Sequence, residues 1–173
     1  MPTSYRSPIR GDHKTQRSHS QDQSSNLKKD QAQVHHIMDR KGRDVITISP
    51  SDTIGHAVEV LRDEKIGALV VTDDQGALSG ILSERDIVRK LADTPGHTLP
   101  QLVSEVMTAE VETCGLSDSL DFVLKRMTEG RFRHLPVLKA EQLIGMVSIG
   151  DVIQHKLLEL EHEALQLKQL IVG

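Results

Sequence analysis

At 173 residues, 37% of them hydrophobic, the chain has apolar content for one ordinary domain or two small intertwined ones. No apolar run approaches the roughly 20 residues of a spanning helix, so a membrane protein is excluded, and the single cysteine, Cys114, excludes an intramolecular disulfide. The net charge of −4 divides into +3 over residues 1–30 and −7 over the rest, and an acidic body argues against nucleic acid as the main partner.

Residues 1–31 are rich in Ser, Gln, Asp, Lys and Arg, with Ile9 and Leu27 as the large aliphatics. Such a segment buries too little to offset its ordering entropy and is predicted to be a disordered tail. It has no apolar core of a secretory signal, which with the lone cysteine indicates a reducing compartment, the cytoplasm. A basic, Ser-rich leader is also compatible with a transit peptide to the mitochondrial matrix, although Asp12, Asp22 and Asp30 count against that.

The body is an internal repeat. Val34-His35-His36-Ile37-Met38-Asp39 matches Val103-Ser104-Glu105-Val106-Met107-Thr108 at an offset of 69. Val45-Ile46-Thr47 matches Val111-Glu112-Thr113 at 66, so the first copy holds three extra residues near Lys41-Gly42-Arg43. The predicted divisions are a tail at 1–31, repeat 1 at 32–92, a linker at 93–102, repeat 2 at 103–157 and an extension at 158–173.

Each copy reads strand, helix, strand, strand, helix, an α/β (α+β) pattern. Val45-Ile46-Thr47-Ile48 is a β-branched strand, and Pro50-Ser51-Asp52 supplies turn and cap chemistry before a helix. Ile54, Ala57, Val58 and Leu61 then share one helical face, as do Leu120, Val123, Leu124 and Met127 in the second copy. A strand from Ala68 to Thr72, the turn Asp73-Asp74-Gln75-Gly76 and a strand ending at Leu82 read as a hairpin. Its counterpart runs from Leu135 to Leu138, turns through Lys139 to Gln142, and returns from Leu143 to Val147. A unit near 60 residues buries too little alone, so the copies are expected to pack on each other.

The hairpins end in Gly80-Ile81-Leu82-Ser83-Glu84-Arg85-Asp86 and Gly145-Met146-Val147-Ser148-Ile149-Gly150-Asp151. Ser-x-x-Asp before an apolar run is a capping box. The same residues also suit a nucleotide: the Ser hydroxyl and first helical N–H groups face an anion, and the Asp carboxylate accepts from a ribose diol. After Asp151, Ile153, Leu157, Leu160, Ala164, Leu167 and Ile171 keep the spacing of a helix–helix seam, which is expected to pack against another protomer.

Other chemistry is weaker. His155, Glu159, His162 and Glu163 share the final helix, but a carboxylate di-metal site needs such a motif from two helices, so no metal is expected. Cys114 takes the place of Ile48 in a strand and reads as core. No phosphate-binding loop ending in Lys-Ser/Thr is present, and no catalytic constellation is visible.

These residues together, Ile37-Met38 and Val106-Met107, the Ser/Asp caps, Gly67-Ala68-Leu69-Val70-Val71, Arg133-His134-Leu135-Pro136-Val137 and the twin Gly-x-x-Ser-x-x-Asp, resemble a tandem pair of CBS domains, or Bateman module, of the small stand-alone kind. The resemblance implies two pseudo-two-fold-related repeats with adenine-nucleotide clefts between them, often paired as a homodimer. It implies that Asp86 and Asp151 hold ribose hydroxyls, that Ser83 and Ser148 lie near ribose or phosphate, and that Ile46, Thr47, Glu112 and Thr113 border the base. Arg131, Arg133, His134 and Pro136 occupy positions held by Lys65, Gly67, Ala68 and Val70 in the first copy. Arg131 and Arg133 are expected to alternate along an extended chain and point together as a phosphate clamp, so the clefts are expected to be unequal. Gly67 and Ala68 either admit a base or permit close packing. The expected function is a non-catalytic sensor for AMP, ATP or NAD(H) that signals occupancy to an unidentified protein target through repeat packing. The alternative is a structural dimerisation protein with vestigial clefts.

Overall fold

The computed structural model describes residues 31–172; the tail reading for residues 1–30 and the side chain of Val172 lie outside the described residues. Eleven elements follow in order: α1 (Val34–Lys41), β1 (Thr47–Ile48), α2 (Ile54–Glu64), β2 (Ala68–Thr72), β3 (Leu78–Ser83), α3 (Glu84–Asp93), α4 (Val103–Val106), α5 (Leu120–Gly130), β4 (His134–Lys139), β5 (Gln142–Ser148) and α6 (Ile149–Val172).

In the first repeat β1 runs parallel to β2, which pairs antiparallel with β3. In the second, β4 and β5 form an antiparallel pair. The first strand expected there, at Val111–Thr113, contracts to a single parallel bridge one residue later, Cys114 to Val137. The polar groups of the expected strand are used elsewhere: Arg126 donates to the Thr113 carbonyl at 3.0 Å and pairs with Glu112. The β4–β5 turn is also tighter than the sequence suggests, two residues long, with Ala140 and Glu141 both left-handed at φ 49° and 65°. That is the sense of turn that matches strand twist, built here without the usual Asn-Gly.

The two cores do not follow the chain. One gathers Ile48, Ile54, Leu61, Leu69, Leu82 and Ile87 from the first repeat together with Val103 of α4. The other gathers Leu120, Val123, Met127, Leu135, Val147 and Val152 with Val34, Ile37 and Met38 of α1. Each repeat therefore lends its leading helix to the other. Backbone hydrogen bonds fix the exchange symmetrically: Val34 N–H donates to Asp118 O and Leu120 N–H to Ala32 O, while Val103 N–H donates to Asp52 O and Ile54 N–H to Gln101 O, all at 2.8–2.9 Å.

The exchange explains the twin glycines. A Cβ on Gly80 would stand 2.5 Å from Met107 Sδ and 3.0 Å from the Thr108 carbonyl, and one on Gly145 would overlap the end of Met38. Each lent helix thus lays its methionine where the partner hairpin has no side chain.

The apolar face expected of α2 is buried at Ile54, Ala57 and Leu61, but Val58 is 39% exposed. Along α6, Val152 is buried and Lys156 pairs with Asp121 at 2.5 Å on α5, whereas Leu157, Leu160, Ala164, Leu167 and Ile171 stand exposed. Among the described residues no helix is long and apolar enough to cross a membrane.

Candidate functional site

Ser83 is the N-cap of α3, accepting from Asp86 N–H, while Asp86 Oδ2 accepts from Ser83 N–H at 2.9 Å and from its hydroxyl at 2.5 Å. Ser148 and Asp151 repeat this at the start of α6, with both bonds to Asp151 Oδ2 at 2.8 Å. The capping boxes therefore exist. Since both donors converge on Oδ2, Oδ1 of Asp86 is the oxygen a second hydroxyl would meet.

Between the repeats lies a cavity of about 540 Å³ whose wall includes Ser83, Asp86, Arg85 and Arg89 of the first repeat and Arg131, Phe132, Arg133 and His134 of the second. Gly67, Ile81, Glu84, Gly130, Ser148, Ile149 and Gly150 complete it with the segment Thr108, Glu110, Val111 and Glu112. The carboxylate of one repeat thus shares the cavity with the cationic turn that leads into β4 of the other, and the N-termini of α3 and α6 open on the same space. Aligned N–H groups of this kind favour an anion. The repeats are tied at the rim by Arg85 Nη1, which donates to the Arg131 carbonyl at 2.8 Å.

Gly67 lies against the other repeat's His134, whose Cε1 would lie 3.6 Å from an added Cβ. His134 is held below its ordinary pKa, first by burial and then by the nearby Lys41 charge. It lines the cavity as a neutral, proton-accepting ring that an anion would help to protonate.

Arg131 and Arg133 do line one cavity, but not for the reason the sequence offered. Arg131 is the C-cap of α5 in left-handed backbone at φ 57°, as Lys65 is for α2 at φ 55°, so the pair does not alternate along a strand. Convergence comes from the turn that follows the helix.

The remaining sequence candidates lie outside the cavity wall. Asp151 accepts from Lys41 Nζ at 2.8 Å. Burial raises its pKa, but Lys41 and Ser148 outweigh burial and leave the carboxyl below its ordinary range. Thr47 is exposed and pairs with Val70, and the Ile46 carbonyl accepts from Val70 N–H at 3.4 Å. Ala68 is fully buried beside Ser83 in the β2–β3 ladder. Pro136 is buried opposite Met146, its carbonyl accepting from Cys114 N–H at 3.0 Å. Thr113 lines, with Arg126, an adjoining recess of about 440 Å³ that shares Glu110, Val111 and Glu112 with the cavity wall.

Sequence reasoning missed Arg85, Arg89, Glu84, Thr108, Glu110 and Phe132. Glu84 and Arg85 sit inside the quoted motif, but placing Thr108 and Glu110 in the cavity required the helix exchange. Cys114 is buried, and burial with the Asp118 charge pushes its thiol up to about 12, which leaves no thiolate nucleophile at neutral pH. Among the described residues no group of His, Cys, Asp and Glu is arranged to hold a metal; His155 Nε2 lies 3.8 Å from Glu159, and His162 bonds Gln166 at 2.8 Å.

The chain belongs to the CBS-domain family, which matches residues 34–93 and 103–157. It is 32% identical over 148 residues to the mitochondrial CBS domain-containing protein CBSX3 of Arabidopsis thaliana, covering 81% of this chain and 72% of the relative. A CBS-domain containing protein of Agrobacterium tumefaciens superposes with a TM-score of 0.71 at 44% identity, covering 72% of this chain and 92% of that one. The CBS domain pair of protein MJ0100, solved with 5′-methylthioadenosine and S-adenosyl-L-methionine, superposes at 0.63 with 25% identity, covering 72% and 94%.

Proposed function

We propose that this CBS pair is a non-catalytic regulatory module that takes an adenine nucleotide (AMP, ATP or NAD(H)) in the cavity between its repeats. The observation that carries the reading is the meeting, in one cavity of about 540 Å³, of the Asp86 carboxylate with Arg131, Arg133 and His134 from the other repeat. A carboxylate suited to a diol and cations suited to a phosphate fit the two ends of a nucleotide. The adenosine-containing ligands of the MJ0100 pair support the nucleoside half of this assignment. The wall is made by both repeats, so occupancy changes the free energy of their packing, and a partner that senses that packing reads the ligand.

The exposed seam of α6 favours self-association alongside binding, because Leu157, Leu160, Leu167 and Ile171 offer a second copy one continuous row. Deleting residues 159–173 should then lower the mass found by light scattering without loss of nucleotide binding.

The test of the site is calorimetry with AMP and adenosine. Asp86→Asn keeps the cap but removes the charged acceptor, and should weaken both ligands by about 1.5–3 kcal/mol, the scale of a hydrogen bond to a charged group. Arg133→Ala should weaken AMP far more than adenosine. If Asp86→Asn binds as wild type while melting lower, the carboxylate serves the helix alone, and the chain is better read as a structural dimerisation protein.

A further inference from the structure

The pseudo-two-fold relation should give Asp151 a half-site like that of Asp86, and the difference between them traces to one side chain. α4 stops at Val106, and Thr108 then enters extended pairing, its N–H donating to the Ile81 carbonyl at 2.9 Å. α1 instead continues to Lys41, followed by the extra residues already visible in the sequence. This brings the Lys41 ammonium over β5, where it donates to the carbonyl of Met146, the counterpart of Ile81, at 3.2 Å. From there it reaches Asp151 Oδ2 at 2.8 Å. That oxygen now takes three donors, Ser148 N–H, Ser148 Oγ and Lys41 Nζ, where among the described residues Asp86 Oδ2 takes the first two kinds alone. At the helix offset of 69 the counterpart of Lys41 is Glu110, a carboxylate in the wall of the open cavity. Glu110 cannot form an ion pair with Asp86.

We infer that Lys41 is the internal occupant of the Asp151 half-site, its ammonium held on Oδ2 beside the Oδ1 that a ribose diol would otherwise meet and offsetting the carboxylate's charge, so that the chain takes one nucleotide, at Asp86. This rests on the nucleotide reading above for what the half-site would hold, and adds that the unequal occupancy is set by Lys41. A nucleoside with a vicinal diol is the class of ligand that displacing Lys41 would admit.

Native mass spectrometry and calorimetry on the full chain, with AMP as the probe, test this. Wild type should bind one AMP per chain, and Asp151→Asn should leave that affinity within twofold. Lys41→Met and, as a second variant, Lys41→Gln should each bind two, because the Lys41 side chain is 40% exposed and its loss leaves the core intact. Lys41→Met with Asp151→Asn should return to one, and Lys41→Met with Asp86→Asn should retain a single AMP at the other half-site. Two AMP on wild type, or no gain on either Lys41 variant while it still unfolds in one cooperative transition, overturns the inference. If wild type binds no AMP, the nucleotide reading of the Asp86 cavity fails by itself; one AMP gained by Lys41→Met would then still support the internal occupant, and none would overturn it.

Discussion

Asp86 and Asp151 carry the same four-residue cap, on the same kind of strand-to-helix turn, and end in different surroundings. Asp86 lines an open cavity facing cations that belong to the other repeat, while Asp151 is bonded by Lys41 of its own chain's leading helix. The difference does not lie in the motif. It lies in how far the lent helix runs before the chain turns, one helical turn longer in α1 than in α4. A repeated motif therefore specifies a local shape, and the site around it depends on what the other repeat delivers to it.

The largest effect should come from the lent helices themselves. Ile37→Ala empties a fully buried position in the core of the second repeat and should cost about 2–5 kcal/mol in denaturant melts. Amide exchange should accelerate first in β4 and β5; if β2 and β3 open first, the assignment of α1 to the second repeat is wrong.

Next come the twin glycines. Gly80→Ala must displace the Thr108 backbone carbonyl as well as Met107, whereas Gly145→Ala meets the flexible end of Met38. The first should cost about 1–3 kcal/mol and the second less, the scale of overpacking with and without a yielding neighbour. Equal melting temperatures would show that the two approaches are equally soft.

A smaller effect is expected from pH. The folded chain holds His134 below its ordinary pKa, through burial and then Lys41, so unliganded stability falls as pH drops below the unfolded value of about 6.5. A bound phosphate favours the protonated ring, so AMP should bind more tightly as pH falls towards the free ring's pKa, which lies below 6.5, by at most about tenfold per unit for one proton. Adenosine should show no such slope, and His134→Gln should flatten that of AMP. A slope shared by both ligands would move the phosphate away from His134.

The smallest effect concerns the Lys41–Asp151 pair as a stability term. Asp151 is depressed in the fold, so its contribution is full above the unfolded carboxylate pKa of about 3.9 and is lost as pH falls through the folded one. Lys41→Met should therefore lower stability at neutral pH by roughly 0.2–1 kcal/mol, discounted because both side chains touch solvent. The gap should close in acid and narrow in high salt.

The strand-helix-strand-strand-helix order is legible because each element carries its own period or turn residues. The caps are legible because Ser-x-x-Asp is local. What cannot be read is any feature that joins distant segments. Val34, Ile37 and Met38 show an apolar face but not which core receives it, and without the exchange there is no reason to place Thr108 and Glu110 beside Asp86. The left-handed backbone at Arg131 is also hidden, because helix ends usually mark that conformation with glycine and this one does not. Lys41 stands in the sequence beside an insertion, yet its ion pair spans 110 residues of chain.

The exchanged helices also change what a minimal folding unit of this chain can be. A fragment ending before α4 would keep α2 and its sheet but lose Val103 from their core, and would carry α1 with nothing to receive it. Two copies of such a fragment could satisfy each other by trading leading helices, as the halves of the single chain do. The linker converts that exchange from an encounter between molecules into an internal closure at high effective concentration. Dilution can separate a pair of free fragments; it cannot separate these repeats, and denaturant should unfold them in one transition.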